Sequence, residues 1–250
     1  MTAPLSRPVT ADGLFLWIMH RFAEAFEEHA VLKGGMALRL LDSPRATNDI
    51  DYVFVPFASK SDVRGDIERV LREIEGAEIS IQAHSTMLRA DVRVDGVAVQ
   101  VEVSVATTCR SAAMATAGFA QSLGQPSHVV RVMSWDTALA HKLGAWCERR
   151  LLRDLYDGYF LFARLDERPD LAVLDARLAD VRSRIPKLRK RKVMSRADLA
   201  RELREAAATL DGAAIAEELA PLLPQAELAG LSLRLRSALI RLADWIEAAG

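Results

Sequence analysis

The stretch VLKGGMALRLLDSPRATNDIDYVF, residues 31–54, is the part of the chain from which its fold and chemistry are predicted. Two glycines, Gly34 and Gly35, separate a short apolar segment from a run of helix-forming residues. A basic turn follows, and Asp49 and Asp51 then begin a segment rich in β-branched and aromatic residues, which is typical of a strand. Because residues two apart in a strand point to the same face, the two carboxylates are predicted to aim together. They repel each other, so a positive counter-charge is expected beside them.

The bulk composition is that of an ordinary globular protein. Of the 250 residues, 50% are hydrophobic and 27% are charged, and the formal net charge is −1. This net charge excludes a globally basic nucleic-acid-binding protein, although a local basic patch is compatible with it. Cys109 and Cys147 lie far apart without a pairing pattern, which favours a reducing compartment. The sequence shows neither a signal-peptide pattern nor an apolar run of about 20 residues, so we expect a cytoplasmic protein without a membrane anchor.

The periodicity of apolar residues changes along the chain. The first half mixes helix and strand patterns, whereas strand patterns nearly vanish after about Ser134. We therefore predict an α/β (α+β) fold, in which residues 1–130 form a core with a mixed β-sheet and residues 131–250 form a helical domain. The predicted elements of the first half are helices at 14–30, 36–42 and 61–76 and strands at 49–55, 78–82 and 88–105, the last interrupted by a turn.

A third carboxylate, Glu102, belongs to the clearest strand of the sequence. The dipeptide Asp95-Gly96 is typical of a two-residue hairpin turn, and after it valines alternate with polar residues that include Glu102. If this arm pairs beside the Asp49 strand, Glu102 and the two aspartates converge. Hard oxygen ligands at such density suit Mg²⁺, with Mn²⁺ as an alternative. The D-x-D pattern alone is common by chance, but the preceding Gly-Gly turn adds backbone N–H groups for a triphosphate.

Three segments in this order resemble the motifs of one known family. They are LKGGMALRLL with RATNDID (residues 32–51), VAVQVEVS (97–104) and ALAHKLGAWCERRLLRDLYDGYFL (138–161). Together they are similar to the AbiEii/AbiGii-type nucleotidyltransferase toxins of the DNA polymerase β-like superfamily. The resemblance implies a nucleotidyltransferase core, a helical C-terminal domain and the toxin role in a toxin–antitoxin pair. It also implies transfer of a nucleotide from an NTP to an RNA such as tRNA, or to a protein, with a cognate antitoxin as partner.

The resemblance also implies residue roles, and two positions depart from the family pattern. Met36 stands where a small hydroxyl residue is usual, and Glu102 stands where aspartate is commoner. Either departure could alter substrate choice or lower activity. The implied roles are metal binding by Asp49, Asp51 and Glu102, phosphate binding by Gly34 and Gly35, neutralisation of the triphosphate by Lys142, and a late functional aspartate at Asp154.

Several charged residues have a second interpretation. Lys33 either reaches a phosphate or merely solvates the turn. Arg45 either pairs with the acids or contacts phosphate, or it is a solvated loop charge, which we slightly favour. Lys142 is also compatible with a boundary residue that keeps its head in water. Asp154 and Asp157 could form a structural ladder of i,i+4 ion pairs with Arg150 and Arg153, an interpretation we favour for Asp157.

The segment RSRIPKLRKRKVMSR, residues 182–196, has eight basic residues and no acid. Such a block in a nearly neutral chain is typical of a polyanion-binding surface, and without interleaved aromatics it favours phosphate contact over base recognition. A solvated charged loop is the alternative. The predicted RNA-binding residues are Lys187, Arg189, Lys190, Arg191 and Lys192.

Two other functions remain open at this stage. The first is a non-catalytic module that binds a nucleotide or a partner on the same fold, which Met36 and Glu102 favour weakly. The second is a nucleotidyltransferase that modifies a protein or a small molecule; the basic segment argues against a small-molecule acceptor.

Overall fold

The computed structural model describes residues 7–183, 185–187 and 193–249. The chain divides into two compact units, Met1–Ser134 and Trp135–Gly250. In the described part of the first unit, seven strands form one mixed sheet and four α-helices accompany it. The strands are β1 (Ala30–Lys33), β2 (Asp49–Phe54), β3 (Glu78–Ala83), β4 (Leu88–Val94), β5 (Val97–Val105), β6 (Ser111–Ala115) and β7 (Val129–Met133). The helices are α1 (Ala11–Phe26), α2 (Gly34–Arg39), α3 (Ser61–Leu71) and α4 (Ala117–Ser122).

The strand order across the sheet is β3-β4-β5-β2-β1-β7-β6. At its centre, β2 runs parallel to β5 and antiparallel to β1. The predicted hairpin is confirmed, since β4 and β5 pair antiparallel around Asp95 and Gly96, whose φ angles are 48° and 83°. Positive φ at both central residues is the geometry that an Asp-Gly turn favours. Neither β6 nor β7 was predicted, because β6 is mostly alanine, a weak strand former, and β7 has only five residues.

Helix α1 covers one face of the sheet. It buries Leu14, Ile18 and Phe22 completely, and the ring of Phe22 lies 5.0 Å from that of Tyr52 on β2. Residues of β2 alternate between faces, so Tyr52 and its even-numbered neighbours point into this core. The odd-numbered positions, including the two aspartates, therefore lie on the opposite face, as the two-residue spacing predicted.

The regular elements in the described part of the second unit are helical, as predicted. The long helical segment expected from residue 134 is interrupted, because Arg150 has a φ of 57° between α5 and α6. No helix among the described residues is long and apolar enough to cross a membrane. The helices are α5 (Trp135–Arg149), α6 (Leu152–Tyr159), α7 (Leu171–Ala179), α8 (Arg196–Thr209), α9 (Gly212–Glu218), α10 (Gln225–Leu228) and α11 (Leu231–Ala248), with a π turn at Phe160–Arg164.

Candidate active site

A row of four charged residues crosses the middle of the sheet. Each member is the direct partner of the next on four neighbouring strands, so their side chains share one face. The row consists of Lys33 on β1, Asp51 on β2, Glu102 on β5 and Arg89 on β4. The structure thus places Glu102 beside Asp51, which the sequence could predict only on condition that β2 and β5 were neighbours.

Both acids of this row face a basic side chain. Lys33 Nζ lies 3.4 Å from Asp51 Oδ1, and Arg89 Nη2 donates to Glu102 Oε1 at 2.7 Å. The expected positive counter-charge is therefore present within the chain itself. Lys33 contacts an acid, so its alternative as a purely solvated turn residue is wrong.

Asp49 is the first residue of β2 and lies two residues before Asp51, on the same face of the strand. It lies opposite Gln100 on β5, and the hydroxyl of Thr47 donates to Asp49 Oδ1 at 2.6 Å. Asp49 and Asp51 are both partly exposed, which leaves carboxylate oxygens accessible from this face of the sheet. Thr47 was not among the predicted site residues, although its position two residues before an aspartate is a common one for a hydroxyl–carboxylate bond.

The Gly-Gly turn adjoins the aspartates. Gly34 follows β1 directly with a φ of 72°, and a Cβ built on it would overlap Asp51 Oδ2 and lie 2.9 Å from Asp51 Cγ. A Cβ on Gly35 would lie 2.6 Å from Arg45 Nη2 and 3.0 Å from Thr47 Oγ1. Gly34 therefore requires glycine for its backbone conformation and for lack of space, whereas a side chain at Gly35 would displace the end of Arg45. The turn and the carboxylates form one continuous surface.

The surroundings of Arg45 and Met36 differ from those expected from the sequence. Arg45 is only 6% exposed and donates to the carbonyl of Ala46 at 3.0 Å, so its alternative as a solvated loop charge is wrong. It lies behind Gly35 and supports the turn. Met36 is fully buried in the core. Its side chain points away from the surface on which a phosphate would lie, which weakens the suggestion that it marks an altered phosphate contact.

A divalent cation fits the two aspartates better than the full set of three acids. Within the described ranges, no three His, Cys, Asp or Glu side chains are grouped so that they could hold a metal ion. Asp49 and Asp51, however, offer hard carboxylate oxygens on one face, which is the donor type that Mg²⁺ takes when water and phosphate complete its shell. The chemistry of this pair therefore suits Mg²⁺ or Mn²⁺, while Glu102 is held by Arg89.

Lys142 and Asp154 belong to the helical unit, and each has an ion-pair partner there. Lys142 Nζ lies 2.6 Å from Asp157 Oδ2, and Asp157 is completely buried. The Arg149 guanidinium makes two hydrogen bonds to the buried Asp154 carboxylate, at 2.7 and 3.0 Å. Their roles toward a nucleotide stay predictions.

The suggested i,i+4 ladder is wrong for its first pair. Arg150 pairs with Glu202 on α8 and not with Asp154. The reason is the break between α5 and α6, because residues four apart are neighbours only along a continuous helix. Asp157 has a structural ion-pair partner, as favoured, but that partner is Lys142 from the preceding helix.

Five of the eight basic residues of the basic segment lie outside the described residues. Arg189, Lys190, Arg191 and Lys192 are among them, and Lys187 is exposed. At the end of the segment, Arg196 pairs with Asp175 at 3.0 Å.

Arg89 is, with Thr47, a site residue that the sequence did not lead us to predict. A signal for it was present in the hairpin itself. In a two-residue hairpin with Asp95-Gly96 at the turn, Val94 pairs with Val97, and each step away from the turn pairs the next two residues. Counting outward places Arg89 opposite Glu102, as the structure shows.

On this mixed sheet, two aspartates at the start of a central strand lie beside a glycine turn that opens a helix. The chain matches the family model described as nucleotidyl transferase AbiEii toxin, type IV toxin–antitoxin system, over residues 17–236. It therefore belongs to the AbiEii nucleotidyltransferase toxin family and is an enzyme of the nucleotidyltransferase class, which confirms the predicted family.

Solved structures agree with the fold. The chain is similar to JHP933 from Helicobacter pylori, with 17% identity, a TM-score of 0.55 and coverage of 98% of this chain and 96% of that one. It is also similar to a candidate nucleotidyltransferase from H. pylori, with 16% identity, a TM-score of 0.56 and 96% coverage of both chains. The predicted fold class is thereby confirmed. Comparison with curated proteins gave no significant match.

Proposed function

We propose that this enzyme uses a divalent cation, Mg²⁺ or Mn²⁺, to transfer a nucleotide from an NTP to an RNA acceptor, with tRNA as the favoured substrate. In this proposal the protein is the cytoplasmic toxin of a bacterial toxin–antitoxin pair and binds a cognate antitoxin. The family membership supports the nucleotidyl transfer and the antitoxin. The choice of an RNA acceptor depends on the basic segment of the sequence.

One observation carries the proposal. The Gly34 backbone and the Asp51 carboxylate approach so closely that no side chain fits between them. A triphosphate bound to the N–H groups of this turn would lie directly beside the two aspartates. Phosphate and carboxylate repel each other, so a ligand at this place needs a cation between them. A bound NTP–Mg²⁺ complex meets this requirement.

The chain's own residues position the reactants. Asp49 and Asp51 would hold the cation, and the hydrogen bond from Thr47 orients the Asp49 carboxylate toward it. When bound, Mg²⁺ supplies positive charge to the phosphates of the NTP. The turn at Gly34 and Gly35 would bind phosphate oxygens through backbone N–H groups, and Arg45 holds this turn from behind.

The transfer itself is an in-line displacement. The acceptor hydroxyl oxygen bonds to the α-phosphorus, while the bond from the α-phosphorus to the bridging oxygen of the β-phosphate breaks. Pyrophosphate leaves with the electron pair of that bond, and the hydroxyl proton passes to solvent. Much of the acceleration would come from positioning and charge neutralisation, as is general for phosphoryl transfer.

The decisive experiment is incubation with each α-labelled NTP, Mg²⁺ and total tRNA, comparing wild type with Asp49→Asn and Asp51→Asn. Wild type should label RNA, and each variant should lose at least about 100-fold in rate, since both residues position charge at the reacting phosphate. Asp66→Asn is the matched control, because Asp66 is an exposed carboxylate on α3 with an arginine partner.

The pattern of label separates the other functions. Label on the protein fraction would indicate a protein acceptor, and label on an added small hydroxyl compound would indicate a small-molecule enzyme. A chain that binds NTP but labels nothing would be the non-catalytic module. Equal labelling by Asp49→Asn and wild type would contradict the assigned site.

A further inference from the structure

We propose that Arg89 is a positioning residue that withholds Glu102 from the divalent cation, so that Asp49 and Asp51 alone bind the cation in the resting enzyme. This inference rests on the proposed metal-dependent site. It assigns a role to a residue outside the recognised motifs and changes the role predicted for Glu102.

The geometry of the β4–β5 hairpin supports this role. Arg89 lies directly opposite Glu102, and its Nη2 donates to Glu102 Oε1 at 2.7 Å. The side chain of Glu102 is 17% exposed and that of Arg89 37%, so the pair is partly shielded from water. Shielding strengthens the attraction between the two charges relative to a fully solvated pair. The pair therefore competes with a cation for Glu102.

The neighbouring strand explains why the pair forms. Asp51 and Glu102 are direct partners on parallel strands and carry the same charge on the same face. Like charges placed opposite each other destabilise a sheet. Lys33 and Arg89 stand at the two ends of the row, so the four formal charges sum to zero. The row is balanced within the chain, before any cation binds.

Arg89 has an unused hydrogen-bonding group. Its Nε is buried and has no hydrogen-bond partner within the part of the chain that the structure describes. A buried donor without an acceptor costs free energy. A rotation of the guanidinium toward an acceptor would satisfy it, but such a rotation would also release Glu102. Among the described residues, the guanidinium of Arg89 is thus positioned by its hydrogen bond to Glu102 and not by a wider hydrogen-bond network.

The test is direct Mn²⁺ binding without nucleotide, measured from the free-ion signal in electron paramagnetic resonance. Arg89→Met should bind Mn²⁺ about tenfold more tightly than wild type, because a repelling charge is removed and a third carboxylate becomes free. Arg89→Lys should stay within about twofold of wild type, since lysine keeps a cation for Glu102. The control is Arg93→Met, which removes an exposed arginine from the same strand and face, opposite Ala98.

A second variant avoids any question of folding. The double variant Arg89→Met/Glu102→Gln should bind Mn²⁺ within about twofold of wild type, because it keeps the summed charge of the row and Glu102 is not a ligand in the resting enzyme. Most of the gain seen with Arg89→Met should therefore disappear in the double variant. A tenfold or larger loss in the double variant relative to wild type would overturn the inference, as would an Arg89→Met variant that binds no more tightly than wild type.

The same titration separates this inference from the proposed function. If Asp51→Asn binds Mn²⁺ as tightly as wild type, the proposed metal site is wrong, and the inference about Arg89 is then wrong as well. If Asp51→Asn abolishes binding while the double variant Arg89→Met/Glu102→Gln also binds about tenfold more weakly than wild type, the metal site stands and only the role of Arg89 is wrong.

Discussion

Replacement of Gly34 by alanine should both destabilise the first unit and remove activity. Gly34 has a φ of 72°, a conformation that costs an L-residue other than glycine about 1–2 kcal/mol. The added Cβ would overlap Asp51 Oδ2 and would lie only 3.0 Å from Asp51 Cβ. Relief of this overlap requires Asp51 to change rotamer, and the 3.0 Å contact with its Cβ also requires a small shift of the base of the side chain.

The two costs add up to a measurable change. Forcing Asp51 out of its rotamer costs about 0.5–1.5 kcal/mol, so the total loss is about 1.5–3.5 kcal/mol. For a chain of this size that corresponds to a decrease in Tm of roughly 3–14 °C. The displaced Asp51 carboxylate no longer lies beside the turn, and a shift of about 1 Å at a reacting centre costs roughly 100-fold in rate.

The assay compares urea unfolding and α-labelled NTP transfer for wild type, Gly34→Ala and a matched Gly65→Ala. Gly65 lies on the exposed side of α3, and a Cβ built there meets nothing within 4 Å. Alanine at that position should stabilise the protein by about 0.5–1 kcal/mol and leave transfer unchanged. If Gly34→Ala unfolds at the wild-type urea concentration and transfers at the wild-type rate, the close approach of Gly34 and Asp51 is refuted.

Two further predictions concern buried charges. Burial lowers the pKa of His20 to about 4. Between pH 6.5 and about 4 the unfolded chain therefore binds one proton more at this residue than the folded chain. The free energy of unfolding should fall as the pH drops through this window. His20→Gln should flatten that slope in urea titrations at several pH values; an unchanged slope would exclude His20 as its source. For the buried Lys142–Asp157 pair, Asp157→Asn should cost about 2–4 kcal/mol, since a lysine loses its counter-charge. A double-mutant cycle with Lys142→Met should show coupling above about 1 kcal/mol, and additive effects would mean that the pair contributes no stability.

Local rules were enough for several parts of the candidate site. The two-residue spacing of Asp49 and Asp51 places both on one strand face, whatever the rest of the fold. The Asp95-Gly96 turn sets the register of β4 and β5, and this register already brings Arg89 opposite Glu102. Alternating valines then decide which face of β5 is buried. Each of these facts depends on backbone geometry over a few residues.

Other parts depended on the packing of the whole chain. The parallel pairing of β2 with β5 joins Asp51 to a residue about fifty positions later, and no short segment encodes that choice. Likewise, Arg45 follows Pro44 in a stretch that resembles an ordinary basic turn, yet it is buried against Gly35. The break at Arg150 redirects the ion pairs of Asp154 and Asp157 to partners outside the expected ladder.

The sequence by itself determined which side chains share a face and how the hairpin pairs, because a strand and a two-residue turn obey local steric rules. Only the tertiary structure decided that the Arg89–Glu102 pair lies beside Asp51, because β2 pairs with β5 across about fifty residues. Strand order is selected by the burial of the common core, which α1 forms with the face of the sheet that carries Tyr52. The free energy of this burial arises from the whole first unit and cannot be assigned to any one segment.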